Sequence, residues 1–447
     1  MRDEYSSRET IFAPATGVGR AAVAIVRISG PDCDAAIQLL ASDCNLKDRI
    51  ASLRDLRDPE TGELLDRALV IRFFAPRSFT TEEMAELQIT GGHAVLKSVM
   101  RALDRIPGLR LAEPGEFALR AFQNGKIDLA EVEGLADLVA SETEAQRKQA
   151  IRVAGGELSR ETESIRRLLI RAMSALESQI DFSDIEEAES ITVGDVNRLT
   201  MEAVERIRTM LASAQAGERL RHGLSVVIAG PPNVGKSTLM NALSRREVSI
   251  VSPHPGTTRD LVEVALDLSG YPVTLVDTAG IRASEDEVER EGIERAQKRA
   301  QDADLTLWLV ECGTSSPPIQ PGIHPVLIVR TKSDLVERDL EFSSSSGSSI
   351  LCVSARTGNG LSALLDELGR FAERLCGGSA LIATERHRRA FLDAEAALLR
   401  ALNLGHDNLE LLAEDLRLAA RALARISGRI DVEDVLDDIF ARMCVGK

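Results

Sequence analysis

The spacing of apolar positions changes character along this chain. Up to about residue 125, strand-like and helix-like stretches alternate between turn signals. Ala21–Ile28 and Leu69–Phe74 are β-like apolar runs, and Val95–Ile106 spaces its apolar residues as a helix does. From Leu129 to about Leu220 the pattern is helical almost throughout. Leu135, Leu138 and Val139 share one stripe, Leu168, Leu169 and Ala172 another, and no proline falls in the span. Only Gly155-Gly156 and Phe182–Gly194 interrupt it. Short buried-strand runs return at Leu224–Ala229, Val273–Val276, Val326–Arg330 and Ile350–Val353, with Thr314–Pro325 and Ser343–Ser349 reading as surface loops. Helical character resumes at Ala383. These shifts predict an α+β multidomain chain: 1–125 an α/β domain, 126–221 and 377–447 two parts of an all-α domain, and 222–376 an inserted α/β domain. Insertion is tolerated where domain termini lie close together, so the two helical arms are expected to pack on each other.

The inserted segment carries the densest chemistry. Gly230-Pro231-Pro232-Asn233-Val234-Gly235-Lys236-Ser237 is a full G-x-x-x-x-G-K-S loop between the strand Leu224–Ala229 and the helical stretch Thr238–Leu243. Its glycines let backbone N–H groups converge on phosphate oxygens at a helix N-terminus. Lys236 is expected on the β- and γ-phosphates and Ser237 on Mg²⁺. Asp277-Thr278-Ala279-Gly280 follows its own strand; Asp277 is expected to hold Mg²⁺ through water and the Gly280 N–H to meet the γ-phosphate. Between them Gly256-Thr257-Thr258-Arg259-Asp260 reads as a switch segment whose Thr258 completes the Mg²⁺ shell. In Thr331-Lys332-Ser333-Asp334 the Asp334 carboxylate can accept both guanine Watson–Crick hydrogen bonds, and Ser354-Ala355-Arg356 is expected to close over the base. The order is that of a GTPase domain, so GTP is the expected nucleotide. Most GTPases have Asn where this chain has Thr331, and a weaker guanine grip is the expected consequence.

With 447 residues, 44% hydrophobic and 28% charged, the chain reads as a soluble, cytoplasmic, multidomain protein with no membrane span or signal segment. The six cysteines lack C-x-x-C spacing, which argues against a zinc site or disulfide framework. A balance of 54 Lys+Arg against 70 Asp+Glu, net −16, excludes a general nucleic-acid coat and leaves RNA contact to a local basic patch or a partner. Arg417, Arg421, Arg425 and Arg429, every fourth residue, suggest such a stripe opposite Leu416, Leu423 and Ile426. Pairing with Glu410, Glu414 and Asp415 is the competing expectation.

Outside the GTPase motifs, three segments carry a resemblance. They are Gly19–Gly30, the stretch Pro114-Gly115-Glu116-Phe117 with Arg120–Leu129, and the tail Cys444-Val445-Gly446-Lys447. Over nearly its whole length the chain resembles the MnmE (TrmE) family of tRNA-modifying GTPases. It departs from the family at Ala21-Ala22, where two glycines are usual, and at Thr90-Gly91-Gly92-His93, where a Gly-His-Gly-Gly turn is usual.

The resemblance implies modification of carbon 5 of a tRNA wobble uridine, jointly with a flavin-containing MnmG (GidA) type partner in a heterotetramer, the FAD residing on that partner. It implies a tetrahydrofolate derivative (5-formyl or 5,10-methylene) held by Arg27, Glu86 and Lys126 with Lys447 nearby, in an N-terminal domain that also forms a homodimer. In the GTPase part, the position that carries a water-orienting Gln in many small GTPases is Ile281, and the resemblance selects Glu289 from the acidic stretch 284–290 instead. It also implies K⁺ beside the phosphates, bound by Asn233 with Ser252, His254 and Thr257 in the segment Ser252-Pro253-His254-Pro255-Gly256-Thr257, in place of an arginine finger. Cys444, with Arg442 and Lys447 near in sequence, becomes a candidate functional thiol. Two other readings share the GTPase motifs: a regulatory ribosome-assembly GTPase, which would usually carry an added basic RNA-binding domain, and a GTP-gated scaffold.

Overall fold

The computed structural model describes residues 9–17, 19–42, 45–181, 193–246, 263–277, 303–314, 325–336, 351–404 and 408–430, with 436, 439, 440, 443 and 446. The chain divides into two compact units, one of residues 1–136, 154–162 and 423–447, the other of 137–153 and 163–422.

In the first unit, β1 (Thr10–Pro14), β2 (Val23–Ser29), β3 (Ser52–Arg57), β4 (Leu64–Phe73), β5 (Met84–Thr90) and β6 (Leu109–Leu111) form one sheet in the order β3-β4-β5-β2-β1-β6. All pairings are antiparallel except β1 with β6. Side chains alternate faces along a strand. Thus Ala24, Val26 and Ile28 of β2, with Val70, Leu87 and Ile89, join a core that includes Ile37 and Leu40 of α1 (Cys33–Ala41) and Val99 and Leu103 of α2 (His93–Asp104). The same alternation turns Arg27 and Glu86 to the opposite face. α3 (Glu116–Gln123) and α4 (Leu129–Ala140) follow. Ala118 and Val132 pack with Phe440 and Met443 from the end of the chain. Close backbone approach fixes this tail at two glycines. A Cβ on Gly115 (φ +70) would stand 2.7 Å from the Phe440 carbonyl oxygen, and one on Gly446 (φ +99) 2.2 Å from that of Pro14.

The second unit contains α5 (Glu144–Ala154) up to Val153 and most of α6 (Glu157–Asp181), then α7 (Val193–Ala212) and α8 (Ala214–His222). An α/β layer follows: β7 (Leu224–Ala229), α9 (Lys236–Ser244), β8 (Glu263–Leu268), β9 (Tyr271–Asp277), β10 (Leu305–Glu311), β11 (Val326–Thr331), β12 (Leu351–Cys352) and α10 (Leu361–Cys376). Its sheet runs β12-β11-β10-β7-β9-β8, parallel except for the edge strand β8. Leu224, Val226 and Ile228 pack with Leu239, Leu243, Leu364 and Leu368 in its core. Parallel strands need covering on both faces, which is why β7 is a near-continuous apolar run.

Thr384 caps α11 (Glu385–Asn403), its hydroxyl accepting from the His387 N–H. As expected of arms flanking an insertion, α11 packs on α7, with Arg208 bonded to Glu395 at 2.6 Å. α12 spans Leu409–Ala424.

The four-arginine stripe needs correction. Arg425 and Arg429 lie beyond the end of α12, because the chain turns at Gly428 (φ +77), where an added Cβ would meet Leu129 and the Phe122 ring at 2.9 Å. Arg417 is bonded to Glu177 at 3.2 Å and lies 3.5 Å from Glu414, while Asp415 takes Arg400. No helix among the described residues is long and apolar enough to cross a membrane.

Candidate functional site

The ends of four parallel strands of the second unit converge on one edge of the sheet, where open α/β sheets bind ligands. The phosphate-type loop leaves β7 at Gly230 (φ +148), whose missing Cβ would otherwise lie 2.6 Å from the Leu309 carbonyl oxygen. The loop closes through Asn233, exposed and left-handed at φ +62, and Gly235 at φ +99, the residue before α9. Val234 is buried beneath the loop; Thr238 is exposed in the first helical turn. Lys236 Nζ donates to the carbonyls of Gly230 (2.9 Å) and Pro231 (3.0 Å), bracing the loop from within. Ser237 Oγ donates to Asp277 Oδ2 at 3.0 Å, and Asp277 is buried at the end of β9. A helix-start hydroxyl and a buried carboxylate thus stand together beside the first turn of α9, whose N–H groups have no partner within the helix.

The second half of the site sits at the ends of β11 and β12. Asp334 is exposed, and its carboxyl lies below the usual range chiefly because the Ser354 hydroxyl donates to it at 2.7 Å. The Thr357 N–H donates to the same Ser354 oxygen, and Ser354 is fully buried. Ala355 is half-buried and Arg356 exposed after it. Lys332, left-handed at φ +58, donates to Glu311 Oε2 at 3.0 Å. Thr331 is buried, and its hydroxyl donates to the Val234 carbonyl at 2.7 Å, tying the end of β11 to the glycine-rich loop. Neither that bond nor the Glu311 contact follows from the sequence; no local motif marks Glu311. Ser252, Pro253, His254, Pro255, Gly256, Thr257, Thr258, Thr278, Ala279, Gly280 and Glu289 lie outside the described residues.

In the first unit the antiparallel register sets Arg27 of β2 opposite Glu86 of β5. Arg27 Nε and Nη2 both donate to Glu86 Oε1, at 3.2 and 2.9 Å, and Nη1 donates to the Gly446 carbonyl at 3.2 Å. The guanidinium lies 5.7 Å from the centres of both the Phe79 and Phe117 rings. Phe79 is a residue the sequence did not flag; Phe117 lies in the quoted Pro-Gly-Glu-Phe motif without an assigned role. Lys126 stands exposed after α3, its N–H bonded to the Ala121 carbonyl. Cys444 and Lys447 lie outside the described residues. Behind the pair runs a buried polar network: Ser29 bonds Thr80 and Glu82, and Arg120 bonds Glu82 and Glu116.

Cys33 and Cys376 are buried thiols pushed up to about 12 by desolvation, too protonated to act as nucleophiles. Among the described residues no group of three or more His, Cys, Asp or Glu side chains could hold a metal ion.

Comparison with known proteins gives a consistent answer over the whole length. The family described as "MnmE helical domain" matches residues 129–444 and "GTP-binding protein TrmE N-terminus" matches 10–126. The chain is 50% identical over 442 residues to "tRNA modification GTPase MnmE" of Beijerinckia indica subsp. indica, covering 98% of this chain and 96% of that relative. It is 49% identical over 459 residues to the protein of the same name from Methylorubrum populi, covering 100% of each. Among solved structures, Aquifex aeolicus Era matches 39% of this chain and 66% of its own at 26% identity, and the T. maritima FeoB G domain matches 33% and 98%, also at 26%. Their TM-scores are 0.25 and 0.24. On the family matches and the full-length identities, the chain belongs to the MnmE family of tRNA modification GTPases.

Proposed function

We propose that this chain hydrolyses GTP with Mg²⁺ and K⁺ beside the phosphates. With a flavin-containing MnmG-type partner, it uses a folate-borne one-carbon unit to modify carbon 5 of the tRNA wobble uridine. The observation that carries the nucleotide part is the single hydrogen-bonded edge formed by Lys236, Ser237–Asp277, Thr331–Val234 and Asp334–Ser354. Ser237 and Asp277 offer a hydroxyl and a carboxylate 3.0 Å apart, an oxygen pair suited to a hard divalent cation, with Thr258 as a further ligand. Bound Mg²⁺ would neutralise charge on the β- and γ-phosphate oxygens. Lys236 exchanges its loop carbonyls for phosphate oxygens, Asp334 accepts from the guanine edge, and Glu289 orients the attacking water that Ile281 cannot. Asn233 is exposed and offers an amide oxygen; with Ser252, His254 and Thr257 it forms the K⁺ set.

In the first unit the donor set fits a folate. Glu86 can accept from pterin amino and ring N–H groups, and Lys126 and Lys447 suit carboxylates. The rings of Phe79 and Phe117 beside Arg27 make a flat, cation-capped surface. The Arg27–Gly446 bond supports the assignment of Cys444 and Lys447 to this site. We further propose the division 1–125, 126–221, 222–376 and 377–447, homodimerisation through the N-terminal domain, and a cytoplasmic location.

Steady-state hydrolysis by the purified protein in MgCl₂ and KCl tests the nucleotide reading. GTP is expected to turn over at least about tenfold faster than ATP at equal concentration, the scale of losing one good hydrogen-bonded base contact. Equal use of both would contradict it.

A further inference from the structure

Helix α5 is bonded to both stretches by which the chain enters and leaves the α/β layer of its unit, and to the sheet itself. Gln146 Nε2 donates to the Arg221 carbonyl at 3.2 Å, at the end of α8 where the chain enters the layer. Gln149 Nε2 donates to the carbonyls of Gly217 (3.4 Å) and Ala380 (3.2 Å), and Arg152 Nη1 to that of Ser379 (2.9 Å), where the chain leaves it. A fourth bond reaches into the sheet: the Ala145 N–H donates to the Gly270 carbonyl at 3.0 Å. Gly270 is the tip of the β8–β9 hairpin. Its turn has two successive positive φ values, Ser269 at +56° and Gly270 at +90°, the signature of a tight hairpin. The Gly270 N–H is fastened to Asp267 Oδ1 at 2.7 Å.

The chemistry of this contact is that of a helix cap. N–H groups in the first turn of a helix have no partner within it. Here the cap for Ala145 is supplied by a remote hairpin. The other end of that hairpin lies at the nucleotide site: β9 ends at Asp277, the acceptor of the Ser237 hydroxyl. Six residue steps at about 3.3 Å each set the two ends of β9 about 20 Å apart. β8 is an edge strand, so the hairpin is held to the sheet through β9 alone. A cavity of about 480 Å³ adjoins the tip, lined by Lys148, Leu220, Asp267, Ser269, Tyr271 and Cys376 among others. The tip therefore has room to shift, which a close-packed joint would deny it.

We propose that α5 is the mount through which the flanking helices sense the nucleotide state, with the Gly270 carbonyl capping α5 in one state and drawn away in the other. The inference rests on the GTP reading above. A nucleotide with its divalent cation competes for Ser237 and Asp277, which breaks their mutual bond and reseats the end of β9. A stiff strand carries that displacement to the tip, where the cap is made or lost. This is a two-state element that both ends can bias, as coupling between sites requires.

Hydrogen–deuterium exchange on the full-length protein, nucleotide-free or with a non-hydrolysable GTP analogue, both in Mg²⁺, tests it. Peptides over 229–240 report nucleotide binding, and peptides over 143–150 report the cap. With the loop protected by the analogue, exchange in 143–150 is expected to differ at least about threefold between the two conditions, local opening being what such rates measure. An unchanged 143–150 beside a protected loop would overturn the coupling alone. An unprotected loop would overturn the GTP reading and the coupling with it. Ala145→Pro removes the one N–H in a helix turn where proline is tolerated. It is expected to abolish the difference in 143–150 while loop protection stays, and a variant that keeps the difference would overturn the role of the Gly270 cap.

Discussion

The two candidate sites are built in opposite ways. The nucleotide site lies at the edge of a parallel sheet and is made largely of backbone: glycines at 230 and 235, carbonyls braced by Lys236, and turn residues at the ends of β11 and β12. The Arg27–Glu86 site lies on the face of an antiparallel sheet and is made of side chains 20% and 16% exposed. A backbone cradle dictates residue types at fixed spacing, so it leaves a motif. A cross-strand ion pair looks the same in sequence whether it binds a ligand or merely joins two strands. The comparison teaches that a site's legibility depends on how much of it is backbone.

The comparison breaks most sharply if damage to one site abolishes binding at the other. Lys236→Ala is expected to lower GTP turnover by ~10²-fold or more, the scale of losing a positioned charge on the reacting phosphates. Affinity for 5-formyltetrahydrofolate, read by titration, should stay within about twofold. Conversely, Glu86→Ala should weaken folate binding by ~10–100-fold, the worth of charge-assisted hydrogen bonds, and leave the GTP dissociation constant nearly unchanged.

Changing the salt sharpens the edge-site account. At equal ionic strength, hydrolysis is expected to run about tenfold faster in KCl than in NaCl, and Asn233→Ser to flatten that response while Mg²⁺ dependence persists. Equal rates in both salts would make Asn233 a loop residue only.

The smallest effect concerns acid. Burial pushes Glu116 upward, but hydrogen bonds from Arg110 and the Glu113 N–H and the charge of Arg120 outweigh it, so its carboxyl sits below the usual range. A depressed folded pKa adds stability that is full above the unfolded value, about 4.3, and is lost as pH falls through the folded value. Unfolding by urea between pH 7 and pH 3 should therefore show less acid sensitivity in Glu116→Gln, which also loses about 1–3 kcal/mol at pH 7. An identical pH profile would remove Glu116 from the acid response.

Much of the second unit was legible. β7 spans the predicted Leu224–Ala229, and β9 and β11 lie within a residue or two of their apolar runs, because covered parallel strands are continuous apolar stretches. What failed had tertiary causes. The arginine repeat after Leu416 reads as one helical face, yet the helix ends at Ala424 and the chain turns at Gly428 against Leu129 and Phe122, residues far away in sequence. The Thr331 hydroxyl ties β11 to the glycine-rich loop through a carbonyl 97 residues distant, a bond that the sequence around Thr331 does not announce. Phe79 beside Arg27 depends on a loop whose placement is set by Ser29, Glu82 and Arg120, which no local pattern encodes.

The central claim is that one chain couples GTP turnover at the sheet edge to one-carbon chemistry at the sheet face, on tRNA. Nucleoside analysis of tRNA from cells lacking the gene tests it most directly. The account predicts that the modified wobble uridine disappears, returns with the parent gene, and fails to return with either Lys236→Ala or Glu86→Ala. Wobble uridines unchanged in the deletion, or restored in full by both variants, would contradict it.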